Sequence, residues 1–579
     1  MKKLTIFCLL CTIVIAGCKK NALDITPDGK LSIEEVFKNE KQTEAYLNTV
    51  YNNIPSYFWR YQFFSFLAGT TDEAQDSDVG IESSNIAANW APGALSPSFN
   101  PLEISGQGNG MVRYNTYWTG IRSANVFLEN IAKANITNEN RRSRFTAEAR
   151  LLRAFYYLEL VKQFGAMPIF KNYPTPSFDY KSLTRPTFQQ SIDFIVADCD
   201  FAINTSALPL RITEENERGR FTIAVGYAIK SQALLYNASP LWNTGNDAAK
   251  WQAASAASKT ALEALTSGGT YALFPNYNNY FINQTDISTS PSDKETIFER
   301  PEGPDGTSTI INSIPSKPGL YKAGSCPSQE LVDSYDMQAS GEPAINGYSD
   351  QDHLMPILNP TSGYNENNPY AGRDPRFYAT VWFNGAKYDN VNGVVHTMET
   401  YLGGSDQLAF TRNNTHTGYY LRKFLDPKIP SGVPSNSRWK KYRLAEIYLN
   451  YAEAENEASG PSMDVYSAIN TVRLRAMMPN LPVGLTKDQM RERIHRERRV
   501  EFAIEEDRFW DVRRWKILDQ TDKVVTGMKI TKDVNGFFTY NRILVEKRNA
   551  WQNKFLIFPL PLSEVSNIPD FNTHQNPGW

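Results

Sequence analysis

Cysteine, histidine, net charge and long apolar runs are all scarce in this chain of 579 residues. Of five cysteines, Cys8, Cys11 and Cys18 belong to the first eighteen residues, and the remaining two, Cys199 and Cys326, cannot build a disulfide framework, although they leave one bridge open. Cys199 sits inside an apolar helical pattern and reads as a buried free thiol. The five histidines (His353, His396, His416, His495, His574) lie far apart, without metal-ligand spacing. There is no His-Glu-x-x-His helix, no Gly-x-Ser-x-Gly elbow and no Walker loop. Gly106-Gln107-Gly108-Asn109-Gly110 is glycine-rich, but it has the wrong spacing for a phosphate cradle and no preceding strand. No catalytic residue is assigned, and no enzyme is expected. A glycoside hydrolase stays as an alternative, because the 62 acidic residues offer many carboxylate pairs that only geometry could select. A formal charge of -2 gives no electrostatic pull on nucleic acid.

The one long apolar run is at the start. Met1-Lys2-Lys3 supplies charge, Leu4 to Ala16 is almost wholly apolar, and Ile15-Ala16-Gly17 leads into Cys18. That order is a secretory signal, and the run is shorter than the roughly 20 residues a spanning helix needs. A cysteine directly after small residues matches a bacterial lipoprotein box. Cleavage before Cys18 would let it carry acyl chains, each methylene contributing about 0.8 kcal/mol on burial, so that two or more chains anchor firmly. The expected organisation is a signal peptide over 1–17, lipidated Cys18, a polar tether over 18–30, and one domain over 31–579.

Within that domain the patterning is mainly α. Ser32-Ile33-Glu34-Glu35 and Thr486-Lys487-Asp488-Gln489 have the form of capping boxes. Helical signal covers about 31–56, 111–269 and 441–507. Ala147, Leu151, Ala154, Phe155 and Leu158 fall on one helical stripe, ended by Gly165 and Pro168. Ala224, Ala228, Ser231, Leu235 and Ala238 form a second, whose small residues admit a close neighbour. Helix hairpins of roughly 35 residues resemble tetratricopeptide units. Two loop-rich insertions, about 57–110 and 270–434, interrupt them, with strand-like pieces such as Tyr378 to Phe383. The expected architecture is a scaffold of tetratricopeptide-like hairpins carrying a loop-rich lobe with a few short strands. The chain is expected to end in Pro- and Asn-rich coil.

Arg491 to Lys516 looks basic until counted: eight Arg and one Lys stand against five Glu and two Asp. Close alternation of sign predicts ion pairing, not a phosphate-binding strip. The same stretch carries a family signature. Arg496-Glu497-Arg498-Arg499-Val500-Glu501-Phe502-Ala503 and Arg508-Phe509-Trp510-Asp511-Val512-Arg513-Arg514-Trp515 closely resemble SusD/RagB-like nutrient-binding lipoproteins. Agreeing segments follow in order: Glu148 to Tyr157, Arg373-Asp374-Pro375-Arg376-Phe377, Arg443 to Leu449, and the ending Gln575-Asn576-Pro577-Gly578-Trp579. The resemblance covers essentially the whole mature chain.

It implies a lipoprotein on the outer face of an outer membrane, capping a SusC-like TonB-dependent transporter and holding oligosaccharide before import. Peptide capture on the same scaffold is the alternative ligand class. It also implies that the ligand loops come from the early insertion and from the loops before Arg373. Sugars meet aromatic rings through C–H groups and meet Asp, Asn or Arg through hydroxyls. By analogy with aromatic pairs, each ring would contribute about 0.5–1.5 kcal/mol. Candidates in those regions are Trp90, Asp72, Glu73, Tyr321, Tyr364 and Tyr370, whereas Trp118, Trp510 and Trp515 lie in helical stripes and read as core. Trp90→Ala is thus expected to weaken ligand binding and leave the melting temperature nearly unchanged. No cofactor or metal is expected; a structural calcium near Asp76 and Asp78 has no motif behind it.

Overall fold

The structure, a computed structural model, describes residues 31–58, 65–81, 83, 85–103, 113–175, 177–282, 292–300, 322–389, 393–426 and 438–579. The expected signal peptide, Cys18, the tether and Tyr321 lie outside them.

Both expected capping boxes are present. Ser32 Oγ accepts from Glu35 N at 3.2 Å while Ser32 N donates to Glu35 Oε2 at 2.8 Å, opening α1 (Ile33–Phe37). Asn39 then caps a separate α2 (Glu40–Tyr51), so the single expected helix is broken at Lys38-Asn39. The main body follows as α3 (Arg113–Asn130), α4 (Glu139–Phe164), α5 (Phe188–Ile203), α6 (Ile223–Ala238) and α7 (Ala248–Thr266), each packed on the one before. At the α3–α4 crossing a Cβ on Gly120 would come within 2.5 Å of the Tyr156 ring, so only glycine permits this approach.

The α4 stripe widens to the full circumference: every residue from Leu151 to Phe164 is buried. Its buried charges are therefore paired: Arg153 with Asp198 at 2.8 Å and Lys162 with Glu159 at 2.9 Å. Gly165, at φ 73°, ends the helix as expected.

The array resumes after the long insertion. α8 (Leu444–Ser459) packs directly on α7, and α9 (Met463–Arg475) and α10 (Lys487–Glu501) pack on α8. One hydroxyl marks the junction: Ser231 Oγ of α6 lies 2.8 Å from Ser258 Oγ of α7 and accepts from Asn450 Nδ2 of α8 at 3.1 Å. Small side chains from both sides of the insertion thus let three helices converge.

Several boundaries differ from expectation. Trp439–Arg443 is a strand, antiparallel to Thr296–Arg300, so the helix expected from Lys441 begins at Leu444. Asp374 caps a helical turn, Pro375–Thr380, with proline at its first position, leaving only Val381–Trp382 extended. α10 stops at Glu501 because Ile504 and Glu506 take left-handed φ of 65° and 76°, and α11 (Asp507–Arg514) starts afresh. Between the last expected helix and the tail, a stretch with no expected element, lies the longest hairpin among the described residues, Val524–Lys532 against Phe538–Lys547.

The two insertions form one lobe. Ala74–Asp76 pairs antiparallel with Ser325–Pro327, and Ser328 Oγ donates to Asp72 O at 2.6 Å. The lobe is joined to the helices by ion pairs that are nearly all buried. Arg376 holds Asp374 (2.7 Å), Glu497 (2.6 Å) and Glu501 (2.9 Å). Arg443 holds Glu295 (2.9 Å), Glu501 (2.5 Å) and Glu505 (2.8 Å). Burial alone would raise the Glu501 carboxyl, but Arg475, Arg443 and Arg376 hold it well below the ordinary range. The charge alternation in the signature is thus interior pairing across elements. Cys199 is a buried free thiol, and so is Cys326. Among the described residues, no helix is long and apolar enough to cross a membrane.

Candidate ligand-binding face

The structure withdraws most of the expected ligand residues into the interior. Trp90 is 2% exposed, wedged between the rings of Phe509, Phe555 and Phe558 at 5.4, 6.1 and 5.7 Å. It has no face left for a sugar. Tyr370 is likewise core, ringed by Phe377, Phe383, Tyr419 and Tyr540, with its hydroxyl 3.3 Å from that of Tyr419. Tyr364 is partly buried, with the Arg373 guanidinium 5.3 Å from its ring centre. Tyr321 lies outside the described residues.

Asp72 is a structural anchor. It accepts from Arg508 Nε (2.9 Å) and Nη2 (2.8 Å) and pairs with Arg499 at 2.9 Å. Burial opposes ionisation, but Arg499 and Arg508 pull the carboxyl down to about 2. Glu73 is its opposite: burial, then the adjacent Asp72 charge, push its carboxyl up to about 8. Raising a folded-state pKa adds stability below the ordinary value near 4.5 and removes it as pH rises toward 8. Glu73→Gln should therefore match the wild type near pH 4. At pH 8 it should be more stable by about 2–4 kcal/mol in chemical denaturation.

Asp76 and Asp78 converge, as a calcium loop would need, but a lysine lies between them. Lys322 Nζ is 3.1 Å from Asp76 and 3.0 Å from Asp78, and Arg412 Nε reaches Asp78 at 2.8 Å. The Lys322 side chain is almost wholly buried, and its ammonium holds Asp76 below its ordinary range despite burial. Among the described residues no His, Cys, Asp and Glu group has the makings of a metal site.

Outside this ionic knot lies an exposed face. Ser77 Oγ donates to Arg412 O at 2.9 Å, Ala323 N donates to the same oxygen at 2.9 Å, and Gly324 N donates to Ser77 Oγ at 3.0 Å. Early insertion, late insertion and the Phe410–His416 loop are thereby bolted together. Phe410 stands 60% exposed, its ring 5.0 Å from that of His416 behind it. Burial lowers the His416 pKa, leaving a neutral ring against the Thr411 carbonyl at 3.2 Å. Ile81 is also exposed, on the turn that follows Asp78. An exposed aromatic ring on a rigid backing can meet sugar C–H groups, while the nearby Arg412 side chain is held by Asp78. Phe410, Arg412 and His416 were missed from the sequence, although Phe410-Thr411-Arg412-Asn413-Asn414 has the same aromatic-in-polar-loop composition as the chosen segments.

The described residues thus form a helical array whose insertions combine into a loop-built face. Comparison makes this specific. Residues 273–579 match the model described as the SusD family, and residues 23–235 match one described as starch-binding, associating with the outer membrane. The chain belongs to the SusD family. It is 24% identical to SusD-like protein P2 of Formosa agariphila, over 89% of this chain and 91% of that one. A crystal structure of a SusD-like protein from Bacteroides fragilis superposes with TM-score 0.76 at 25% identity, covering 95% of this chain and all of the other. A SusD-like carbohydrate-binding protein, also from Bacteroides fragilis, gives TM-score 0.71 at 22% identity, over 93% and 99% of the two chains.

Proposed function

We propose that this protein is a surface lipoprotein, acylated at Cys18, that captures oligosaccharide or polysaccharide. It holds the glycan without cleaving it and passes it to a SusC-like TonB-dependent transporter in the outer membrane. The carrying observation is the exposed Phe410 ring, backed by His416, on the loop whose Arg412 carbonyl ties the two insertions together. Membership of a starch-binding, outer-membrane-associating family supports the ligand class.

Calorimetry against plant, host and microbial oligosaccharides, with chromatography of the recovered ligand, tests this reading. Saturable binding with intact recovery is expected. Shortened products would establish a hydrolase, and binding of peptides but no glycan would establish peptide capture. Phe410→Ala should weaken the bound glycan by about 0.5–1.5 kcal/mol, or roughly two- to twelvefold, by the ring contribution alone. The melting temperature should not move, since the ring is mostly in water.

A further inference from the structure

On the far side of the Asp72 anchor, α10 presents Arg493, Arg496 and Arg499 three residues apart along one flank. They line a cavity of about 530 Å3 whose opposite wall includes Ser334 and the Glu342–Tyr348 stretch. The interior arginines described above bind carboxylates through several nitrogens each, but these three do not. Arg493 gives one nitrogen to Glu342 at 2.5 Å, while its buried Nη1 has no hydrogen-bond partner among the described residues. Arg499 gives Nη2 to Asp72, while its buried Nε has none. Arg496 reaches the Ser334 carbonyl at 3.4 Å and Asp336 only at 3.9 Å.

Each guanidinium has five N–H donors, and a buried donor without a partner is expensive. Most of the acidic groups nearby are already engaged, and Glu492, which also lines the cavity, is exposed to solvent. Asp333 pairs with Arg542, and Glu330 accepts from Thr526 N at 3.0 Å and Oγ1 at 2.6 Å. Asp336 is shared with Arg473. Burial lowers the Arg496 pKa, the mark of a cation with too little counter-charge. Three guanidiniums lining one open cavity, with Arg496 30% exposed and paired with Asp336 only at 3.9 Å, suit a carboxylate or a tetrahedral oxyanion.

We propose that the Arg493–Arg496–Arg499 cavity binds an oxyanion, either the carboxylate of a uronic acid or the sulfate of a sulfate ester. The sugar carrier rests on the glycan-capture reading; the oxyanion chemistry rests on the arginines alone. The ligand class is thereby narrowed to acidic glycans.

Calorimetry on the whole mature chain, at constant ionic strength, separates the cases with sodium sulfate, sodium glucuronate and glucose as probes. One-site saturable binding of sulfate or glucuronate is expected, with no heat from glucose, and the tighter of the two identifies the anionic group. Arg496→Gln should weaken that binding about tenfold or more, as loss of charge-assisted hydrogen bonds does. Arg493→Gln should act likewise, which keeps the test decisive if one variant folds poorly. Lack of saturable binding for both oxyanions, or unchanged affinity in both variants, overturns the proposal. A wild type that binds neutral oligosaccharide but neither anion would sink this site alone. One that binds sulfate or glucuronate but no oligosaccharide would sink the capture reading alone.

Discussion

Trp90→Ala should destabilise the protein by about 3–5 kcal/mol, the usual cost of removing a large aromatic from a packed core. The ring is enclosed by Phe509 of α11 and by Phe555 and Phe558 near the carboxyl end, and the Arg513 guanidinium lies 5.4 Å from its centre. Truncation would open a cavity where the early insertion, the signature helix and the C-terminal segment meet, three parts that cannot collapse onto one another without moving the lobe. Chemical denaturation and thermal melting should both register the loss. Glycan affinity measured well below the melting transition should change far less than in Phe410→Ala. A variant that melts like the wild type but fails to bind would put Trp90 back at the ligand.

Arg443→Ala should be as damaging, by about 3–5 kcal/mol, because it takes one cation from each of three buried carboxylates and all the hydrogen bonds it supplies. Arg443 is 2% exposed and is held by Glu295, by Glu501 through both side chain and carbonyl, and by Glu505 through both oxygens. Those partners come from the edge of the late insertion, from α10 and from the turn before α11, so the one side chain fixes three elements. Arg443→Met should not rescue, since filling the volume does not replace the lost charge: Glu501 keeps Arg376 and Arg475, Glu505 keeps Lys423 and Glu295 keeps Arg475, but each has one cation fewer. The pH dependence has a definite sign. Glu501, a partner of Arg443, is depressed in the fold. Its contribution is present above the unfolded carboxylate range and is lost as pH falls through the folded value. The gap between wild type and Arg443→Ala, measured by urea titration, should therefore be widest near neutral pH and narrow in acid. A gap below about 1 kcal/mol at pH 7 would mean that water compensates the acids and the network is not structural.

What the sequence made legible was what neighbouring residues decide by themselves. Ser32 with Glu35, Thr486 with Gln489, and Gly165 each specify a helix end through local hydrogen bonding or a left-handed turn, and each is where it was expected. The small-residue stripe on α6 announced a close neighbour, but not that α8 would be part of it across the whole late insertion. The pairing of Ala74–Asp76 with Ser325–Pro327 was invisible because three-residue strands carry no period. The hairpin at 524–547 did have a local signal: Asn535-Gly536 between alternating runs, with Gly536 at φ 88°. Site residues fared worst. Trp90 and Tyr370 were chosen because they stand in irregular sequence, yet Trp90 ends a short helix, Ile86–Trp90, and both rings are packed into the core. Asp72 and Glu73 look alike in sequence, but two arginines more than 400 residues onward keep one ionised while burial keeps the other protonated. Exposure, which separates Phe410 from Trp90, is decided by the partner segment and is not written in either neighbourhood.

The central claim is that the joined insertions capture glycan while helices α3 to α7 only hold them in place. Amide hydrogen exchange of the whole chain, with and without a saturating oligosaccharide, addresses it directly. Protection concentrated at residues 77–81, 322–324 and 410–416, with α3 to α7 unchanged, is the predicted result. Protection on those helices, with the junction unaffected, would contradict it.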